Sequence, residues 1–301
     1  MPYKQRTETQ ELQVLNYLNL RMKLPEQYSQ HHYNLKKGYD GEIMFDALTE
    51  GLSCECLILN DLLLKSNNTM FQIDSLIITS ETVYIFEVKN YEGDYYSESD
   101  RIYKQNKSEI TNPLNQLIRS ESLLRQLFHT LGYKSSIDAS IVFINPEFTL
   151  YQAPQDKPFI LPTQISRFMR KLNSIPSKIA TQHKIVADKL ISLHIKESPY
   201  TQLPSYDFDQ LRKGIICMLC NTLSVSVKGQ KCVCLECGYE ELVEDAVMRS
   251  VEEFKLLFPS EKITTNIVYE WCKVLASKKR IQKILDKNYK IVGVSRWSYY
   301  Q

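Results

Sequence analysis

Residues 71–90 have the sequence FQIDSLIITSETVYIFEVKN, which consists of two runs of strand-forming residues. Aliphatic, β-branched and aromatic side chains dominate both runs, and the polar residues 80–82 separate them. This pattern predicts a hairpin, or two adjacent strands, well inside a sheet. Because side chains alternate along a strand, Glu87 and Lys89 are expected on the same face as Ile85.

Ionisable residues interrupt these apolar runs at three positions, Asp74, Glu87 and Lys89. A carboxylate in apolar surroundings is costly unless a metal ion or another cation compensates its charge. Carboxylate oxygens suit Mg²⁺ or Mn²⁺ and leave coordination positions for water and a phosphate oxygen. Lys89 would orient or help deprotonate that water and stabilise charge on the phosphate. The set indicates metal-assisted phosphodiester hydrolysis; the alternative is a pair of edge strands whose charges are merely solvated.

Four segments, taken in chain order, resemble the nuclease-related domain (NERD), a branch of the PD-(D/E)xK nuclease superfamily. They are GYDGE at 38–42, FQIDSLIIT at 71–79, IFEVKN at 85–90 and NPLNQL at 112–117. The resemblance extends over about residues 36–150 and implies a restriction-endonuclease-like fold, an α/β fold whose mixed sheet is flanked by helices. Ile73 replaces the proline that gives the superfamily its name, a departure that is common in the superfamily.

The resemblance also implies roles for individual residues in a metal-dependent nuclease core. Asp74 and Glu87 match positions that bind Mg²⁺ or Mn²⁺, and Glu42 matches a further acidic position, as a third ligand or as a partner of the ligands. Lys89 matches the lysine that positions the attacking water. Gln116 matches a helical glutamine that supports the water or the phosphate, and without the resemblance it would be assigned to the surface.

Hydrophobic periodicity predicts helices on both sides of the two strands. The segment 41–52 places four apolar residues on one helical stripe and Glu42 in the first turn, where a negative charge is favourable without any catalytic role. The four residues are Ile43, Met44, Ala47 and Leu48. A second helix is predicted over residues 112–132, with Asn112 as its N-cap and Gly132 at its end.

Four cysteines, Cys217, Cys220, Cys234 and Cys237, form the pattern CxxC-x13-CxxC. Two tight turns with two cysteines each can present four thiolates tetrahedrally to Zn²⁺, and the residues between them have the pattern of a short hairpin. A zinc ribbon is therefore predicted, with a structural role because four thiolates close the coordination sphere. Cys232 either replaces Cys234 as a ligand or lies free beside the metal. The alternatives are a redox pair or disulfides, and an intracellular location argues against persistent disulfides.

The segment 271–301 is strongly basic, with eight lysines and arginines against the single acid Asp286. Its net charge is +7, whereas that of the whole chain is +2. Such a surface attracts phosphates, and aromatic residues in the same segment would stack on bases. Contacts with nucleic acid are predicted for Lys278, Lys279, Arg280, Lys283, Lys287 and Arg296.

The same segment contains a recognisable order of elements. Short helices are predicted over 266–275 and 278–288, capped by Thr265 and Ser277, and a hairpin would follow around Gly293. This order resembles a winged-helix DNA-binding arrangement. The alternative is a solvated helical tail that packs on the ribbon.

Length and composition bound the organisation of the chain. At 301 residues and 43% hydrophobic content it can hold one medium domain and two small ones. An amphipathic helix over residues 3–23 is expected to dock on the first domain. The predicted division is a nuclease-like domain 1–198, a linker 199–211, a zinc ribbon 212–245 and a basic helical or winged-helix-like module 246–301.

Targeting signals are not visible in the sequence. The first ten residues lack the apolar segment of a signal peptide, and no apolar run approaches the length of a membrane span. A cytoplasmic location without membrane contact is therefore expected.

The predicted function is a metal-dependent nuclease that acts on DNA and that the C-terminal modules deliver to its substrate. The sequence does not distinguish DNA from RNA as the substrate or endonuclease from exonuclease action. A homodimer is compatible with the resemblance. One alternative is a catalytically silent protein that uses the nuclease-like fold to bind nucleic acid. Another is an interaction scaffold whose basic tail contacts an acidic protein.

Overall fold

The structure is a computed structural model that describes residues 1–273, 277–294 and 298–301. The chain forms two compact units. The first unit contains residues 1–8 and 33–200, and the second contains residues 9–32 and 201–301. The division after residue 200 falls inside the segment that the sequence predicts as a linker.

The elements follow in chain order. The helices are α1 Gln10–Arg21, α2 Glu26–Glu50, α3 Pro113–Thr130, α4 Pro162–Asn173, α5 Thr181–Leu193, α6 Val243–Leu257, α7 Thr265–Cys272 and α8 Lys278–Asn288. The strands are β1 Leu57–Ser66, β2 Thr69–Ile78, β3 Thr82–Lys89, β4 Gly93–Glu98, β5 Arg101–Lys104, β6 Glu109–Ile110, β7 Ser136–Phe143, β8 Phe148–Tyr151, β9 Phe159–Ile160, β10 Val225–Lys228, β11 Lys231–Cys234, β12 Glu240–Leu242, β13 Ile291–Val292 and β14 Tyr299–Tyr300.

The first unit is built on a mixed five-stranded sheet with the strand order β1-β2-β3-β7-β9. The first three of these strands pair antiparallel, while β3, β7 and β9 pair parallel. A smaller four-stranded sheet has the order β6-β5-β4-β8. The predicted fold class, an α/β fold with a mixed sheet flanked by helices, is confirmed, and β3 lies at the centre of the sheet rather than at its edge.

Helices cover both faces of the five-stranded sheet. One face contributes Ile85 and Ile141 to a hydrophobic core that includes residues of α3 and α5. The other face contributes Phe86 and Val142 to a core that includes residues of α2 and α4. Neighbouring residues of β3 therefore point to opposite cores, which confirms the predicted alternation and leaves Glu87 and Lys89 on the α3 side of the strand.

The prediction for the segment 41–52 is wrong in two respects. Helix α2 starts at Glu26, so Glu42 lies well inside the helix and not in its first turn, where the charge of a helix N-terminus would act. The predicted apolar stripe is also turned outward: Ile43 and Met44 are 43% exposed and Leu48 is 39% exposed. Gly41, Phe45 and Thr49 form the buried face instead, since they follow one another at intervals of one helical turn.

Helix α3 agrees with its prediction. The side chain of Asn112 accepts a hydrogen bond from the Leu114 N–H group at 3.0 Å, and Pro113 occupies the first turn. Gly132 follows the helix with a φ of +69°, a conformation that glycine adopts without strain. The buried side of the helix faces the sheet with Leu117 and Leu124.

The second unit has one hydrophobic core, to which both predicted C-terminal modules contribute. Trp271 is fully buried there, together with residues of α1, α6 and α8 and of the strands β10 and β11. The predicted helix 3–23 is therefore shorter than expected and belongs to this unit, because Val14 and Leu18 of α1 pack in its core. Thr264 rather than Thr265 caps α7, through a 3.2 Å hydrogen bond from the Ile267 N–H group.

In the described part of the chain, no helix combines the length and the apolar character that a membrane crossing requires. The predicted contact residue Arg296 lies outside the described residues, whereas the predicted hairpin corresponds to the antiparallel pair β13 and β14.

Candidate active site and metal centre

The predicted acidic and lysine residues come together at the centre of the sheet. Asp74 lies on β2, Glu87 and Lys89 lie on β3, and Gln116 lies in the second turn of α3. Lys89 Nζ donates hydrogen bonds to Glu87 Oε1 at 2.6 Å and to Gln116 Oε1 at 3.3 Å. Asp74 Oδ2 accepts a hydrogen bond from the Val88 N–H group at 2.8 Å, which ties the two strands at the site. Elements far apart in sequence thus place four predicted residues within one hydrogen-bonded group.

The site lies at an irregularity of the hairpin between β1 and β2. The ladder pairs Asn60 with Ser75 and Leu62 with Ile73, so that Asp61 and Asp74 have no ladder partner. Asp61 has a φ of +53°, a left-handed conformation that is uncommon for a residue other than glycine. One residue is skipped on each strand, so the register on the two sides is the same, and the interruption occurs at Asp74 itself.

Glu42 has a different partner from the other acids. Arg6 Nη1 donates to Glu42 Oε2 at 2.5 Å, and the same guanidinium binds both oxygens of Asp46, at 2.9 and 3.0 Å. Arg6 Nη2 also donates to the main-chain oxygen of Asp74 at 2.7 Å. The sequence analysis missed Arg6 and Asp46, because neither lies in a motif. A cation near the predicted acids could have been expected only on the general ground that buried carboxylates need a compensating charge.

Burial dominates the electrostatics of the three acids. It raises the pKa of Glu42 and the pKa of Glu87 to about 8, and in both cases the nearby charge of Asp74 adds to the effect. Burial also raises the pKa of Asp74, against the opposing influence of Lys89. For Lys89, burial lowers the pKa, but the attraction of Glu87 and Asp74 outweighs it, so the net shift is upward. Burial is thus the main cause of the raised pKa values of the three acids, and a bound cation would stabilise their charged forms.

The donor atoms fit a hard divalent cation at Asp74 and Glu87. Both side chains are almost fully buried, both end in carboxylate oxygens, and the charge of Asp74 raises the pKa of Glu87. Within the described residues, however, no three acidic side chains converge as closely as the four cysteines of the second unit do. Glu42 is engaged by Arg6, which leaves Asp74 and Glu87 as the acidic residues of the site that could hold a divalent cation.

Gly41 brings α2 close to the end of β3. A Cβ atom at this position would lie 2.5 Å from the Cβ atom of Asn90, which directly follows the strand. The amide of Asn90 donates to the Lys37 main-chain oxygen at 2.8 Å and fixes the same approach. The glycine in the GYDGE segment is therefore required by packing, and it allows the adjacent Glu42 to reach the site.

The four predicted zinc ligands form a compact cluster in the second unit. One ligand atom from each of Cys217, Cys220, Cys234 and Cys237 lies within 4.8 Å of all the others, and among the described residues this is the one group of its kind. The Sγ atoms of Cys217 and Cys237 are 3.6 Å apart, and those of Cys220 and Cys234 are 3.5 Å apart. Four thiolates at these separations are compatible with structural Zn²⁺.

Cys232 is not part of this cluster. Its side chain is buried in the hydrophobic core of the unit, and burial raises the pKa of its thiol to about 11. In contrast, main-chain N–H groups near Cys237 and Glu236 lower the pKa of Cys234 to about 7, which favours the thiolate. The sequence allowed either Cys232 or Cys234 as the ligand, and the structure supports Cys234 as the ligand and Cys232 as a core residue.

The predicted nucleic-acid contacts lie on α8, apart from Arg296. Lys278, Lys279, Lys283 and Lys287 are exposed, and Arg280 is half-buried with a hydrogen bond from Nη1 to the Gly229 main-chain oxygen at 2.8 Å. Lys287 pairs with Glu244 at 2.8 Å. The arginine thus joins α8 to the tip of the ribbon hairpin within the second unit.

Comparison with known proteins agrees with the geometry of the first unit. Residues 37–144 match the family model described as the nuclease-related domain. Searches of curated proteins and of solved structures found no match to the chain. The matched segment includes all five predicted site residues, Glu42, Asp74, Glu87, Lys89 and Gln116.

Proposed function

We propose that the nuclease-related domain of this chain hydrolyses phosphodiester bonds in DNA with Mg²⁺ or Mn²⁺ as its cofactor. The observation that carries the proposal is the buried group formed by Asp74, Glu87 and Lys89, with Gln116 hydrogen-bonded to the lysine. Carboxylates and a lysine in this arrangement suit hydrolysis of a phosphodiester, and the family match supports the same class of activity.

The residues have separate roles in this proposal. Asp74 and Glu87 would hold the divalent cation, which supplies an activated water and polarises the phosphate. Lys89 lies between Glu87 and Gln116, so its ammonium would orient the water and stabilise negative charge on the phosphate oxygens. Glu42 would act as a partner of the ligands, because Arg6 already engages its carboxylate.

The decisive experiment is cleavage of circular and linear duplex DNA, single-stranded DNA and RNA, with Mg²⁺, with Mn²⁺ and without added divalent cation. Glu87→Ala and Lys89→Ala proteins run in parallel, with Arg125→Met as the control, since Arg125 is an exposed residue with an ion pair to Glu121. Metal-dependent cutting that both site variants abolish and the control retains would establish the activity. The pattern of substrates cut would identify DNA or RNA and endonuclease or exonuclease action.

A second candidate is a silent protein that only binds nucleic acid. It is favoured by the pairing of Glu42 with Arg6 and of Glu87 with Lys89, which partly compensates the acids without any metal. In that case the protein would bind DNA without divalent cation, Asp74→Ala would leave the affinity unchanged, and no substrate would be cut.

The role of the second unit is also a proposal. Its zinc ribbon would be structural, and its basic helix α8 would deliver DNA to the nuclease-related domain. A homodimer and a cytoplasmic location stay predictions from the sequence.

A further inference from the structure

The C-terminal part of the second unit has an ordered set of helices and strands. After α6, Ile263 forms a β-bridge with Tyr300; α7 and α8 follow, and β13 pairs antiparallel with β14. The order is therefore one helix, the short extended segment at Ile263, two helices and a two-stranded hairpin. The last strand of the hairpin pairs with Ile263 through Tyr300. This is the connectivity of a winged helix, in which α7 and α8 are the helix-turn-helix pair.

Helix α8 separates an apolar face from a polar one. Ile281, Ile284 and Leu285 are buried in the core of the unit. On the opposite side Lys279, Gln282 and Lys283 are exposed at the spacing i, i+3 and i+4, so they share one face. Within the described residues, no hydrogen bond or ion pair engages these three side chains, which leaves their donors available to a ligand.

The flanks of this face are also basic. Lys278 and Lys287 are exposed on either side, and Arg280 holds the helix to Gly229 of the ribbon hairpin. The helix carries five basic residues and the single acid Asp286, whose carboxylate accepts a hydrogen bond from the Tyr300 hydroxyl at 2.8 Å. A polyanion is therefore the partner that this face fits by charge.

We propose that α8 is a recognition helix for duplex DNA and enters the major groove with Lys279, Gln282 and Lys283. An α-helix fits the width of the major groove, lysine donates to guanine edges and to phosphates, and a glutamine amide pairs with adenine edges. Single strands lack the groove that this geometry requires. The inference rests on the proposed function only in naming DNA as the ligand.

The test is fluorescence anisotropy with a labelled duplex and the matching single strand, using the full chain without added divalent cation so that cleavage does not occur. Lys279→Gln/Lys283→Gln is compared with Lys171→Gln/Lys184→Gln, a control that removes the same charge from exposed lysines of α4 and α5. We expect the α8 variant to lose about tenfold or more in duplex affinity and its salt dependence to fall by about two ion equivalents. The control should bind like the wild type, and the wild type should prefer the duplex.

Equal binding of duplex and single strand, or equal losses in the two double variants, would overturn the assignment. Unchanged zinc content and melting temperature in the α8 variant show that a loss is not due to unfolding. Asp74→Ala separates the two proposals: if it abolishes cutting while the α8 variant binds normally, the nuclease stands and the recognition helix fails. If only the α8 variant loses duplex binding and neither the wild type nor any variant cuts DNA, the recognition helix stands and the proposed nuclease activity fails.

A second inference comes from Arg6, which the sequence motifs do not include. The N-terminal segment lies along β1: the Tyr3 N–H group donates to the Ile58 oxygen at 2.8 Å, and the Asn60 N–H group donates to the Lys4 oxygen at 3.0 Å. This attachment leads Arg6 into the site, where its side chain is 2% exposed. There it binds the Glu42 carboxylate and the main-chain oxygen of Asp74, the residue without a ladder partner.

The geometry points to Arg6 as a positioning residue that holds Glu42 and the irregular strand at Asp74 for the proposed reaction. Its removal takes away a positive charge next to the acids, so divalent cations should bind no less tightly. Cleavage should nevertheless slow, because a displacement of about 1 Å in such a site has large effects on rate. A residue that merely supported the fold would weaken metal binding and cleavage together.

Arg6→Met and Arg6→Lys are tested against Arg125→Met by calorimetric titration with Mn²⁺ and by the cleavage rate at saturating Mn²⁺. We expect Arg6→Met to cut at least about tenfold more slowly with undiminished Mn²⁺ affinity, and Arg6→Lys to recover part of the rate. Parallel loss of affinity and rate, or no change in either, would overturn the role of Arg6. A wild type that binds no Mn²⁺ and cuts nothing would instead overturn the proposed function on which this inference rests.

Discussion

The cysteine cluster of the second unit and the acidic site of the first unit are assembled in opposite ways. Four thiolates from two short CxxC segments converge within 4.8 Å, with one hairpin between them. The acids come from α2, β2 and β3, and cations pair with two of them, Arg6 with Glu42 and Lys89 with Glu87. The first is a closed site made by local turns, whereas the second is a charged site made by long-range packing.

Because the two sites are assembled differently, they depend on different parts of the protein. The cysteine site needs its four ligands and the turns that present them, since four thiolates satisfy the metal fully. The acidic site needs the helix α2 and the central strands in the correct places, because its residues are distant in sequence and each is costly to bury. Changes in the scaffold should therefore affect the acids more than the cysteines.

The largest effect is expected for Cys217→Ser. Structural zinc contributes a large part of the folding energy of small zinc modules, of the order of 10 kcal/mol in isolated fingers. We expect loss of bound zinc, measured by elemental analysis, and unfolding of the ribbon, measured by its melting temperature. Cys232→Ser is the matched control: it should retain zinc despite some loss of stability, and loss of zinc there would make Cys232 a ligand after all.

A smaller but clear effect is expected for Phe45→Ala. Phe45 is 1% exposed under the sheet on the buried side of α2, so its truncation should cost about 3–5 kcal/mol of unfolding free energy. Leu48→Ala, on the exposed side of the same helix, should change stability by less than about 0.5 kcal/mol. Urea unfolding measures both, and similar costs for the two variants would contradict the observed orientation of α2.

The two glycines of α2 give a third test. Gly41→Ala places a methyl group 2.5 Å from the Asn90 Cβ atom, so we expect destabilisation by about 1–3 kcal/mol and slower cleavage. Gly38→Ala meets nothing within 4 Å and should stabilise the helix by about 0.5–1 kcal/mol, the usual gain of alanine over glycine. If Gly41→Ala were also stabilising, the close approach of α2 to β3 would be refuted.

The smallest effect within any one pH unit is a slope in stability at the acidic site. The pKa of Glu87 is about 8 in the folded protein and 4.5 in its reference state, so the folded state binds a proton between these values that the unfolded state lacks. Stability from this group is present at low pH and is lost as the pH rises through about 8. Without divalent cations, the wild type should lose stability relative to Glu87→Gln between about pH 5 and 8, by no more than about 1.4 kcal/mol per pH unit.

Denaturation curves at several pH values check this slope. Parallel stabilities of the two proteins across the range would show that Glu87 is charged throughout. Addition of Mn²⁺ should flatten the slope of the wild type only, because a bound cation replaces the proton.

The sequence predicted some features from short-range patterns alone. The alternation in β3, the hairpin with β2, the caps of α3 and the four cysteines were all predicted, because each depends on neighbouring residues. The prediction for 41–52 failed because the buried face of α2 is chosen by packing: Gly41 approaches Asn90 closely, and Phe45 fills the space under the sheet. The hydrophobic periodicity of the twelve residues 41–52 could not predict which face of the helix is buried.

The central strands, the cysteine ligands and the segment that matches the family model could be predicted from the sequence, because strand alternation and cysteine spacing encode them locally. The three-dimensional structure was needed to find that Arg6 reaches Glu42, that Cys232 is a core residue and that α1 packs in the second unit. It also decided that α6, α7, α8 and the final hairpin share one core. These outcomes depend on which buried charges and apolar surfaces meet, and such long-range pairings are fixed by packing and not by spacing along the chain.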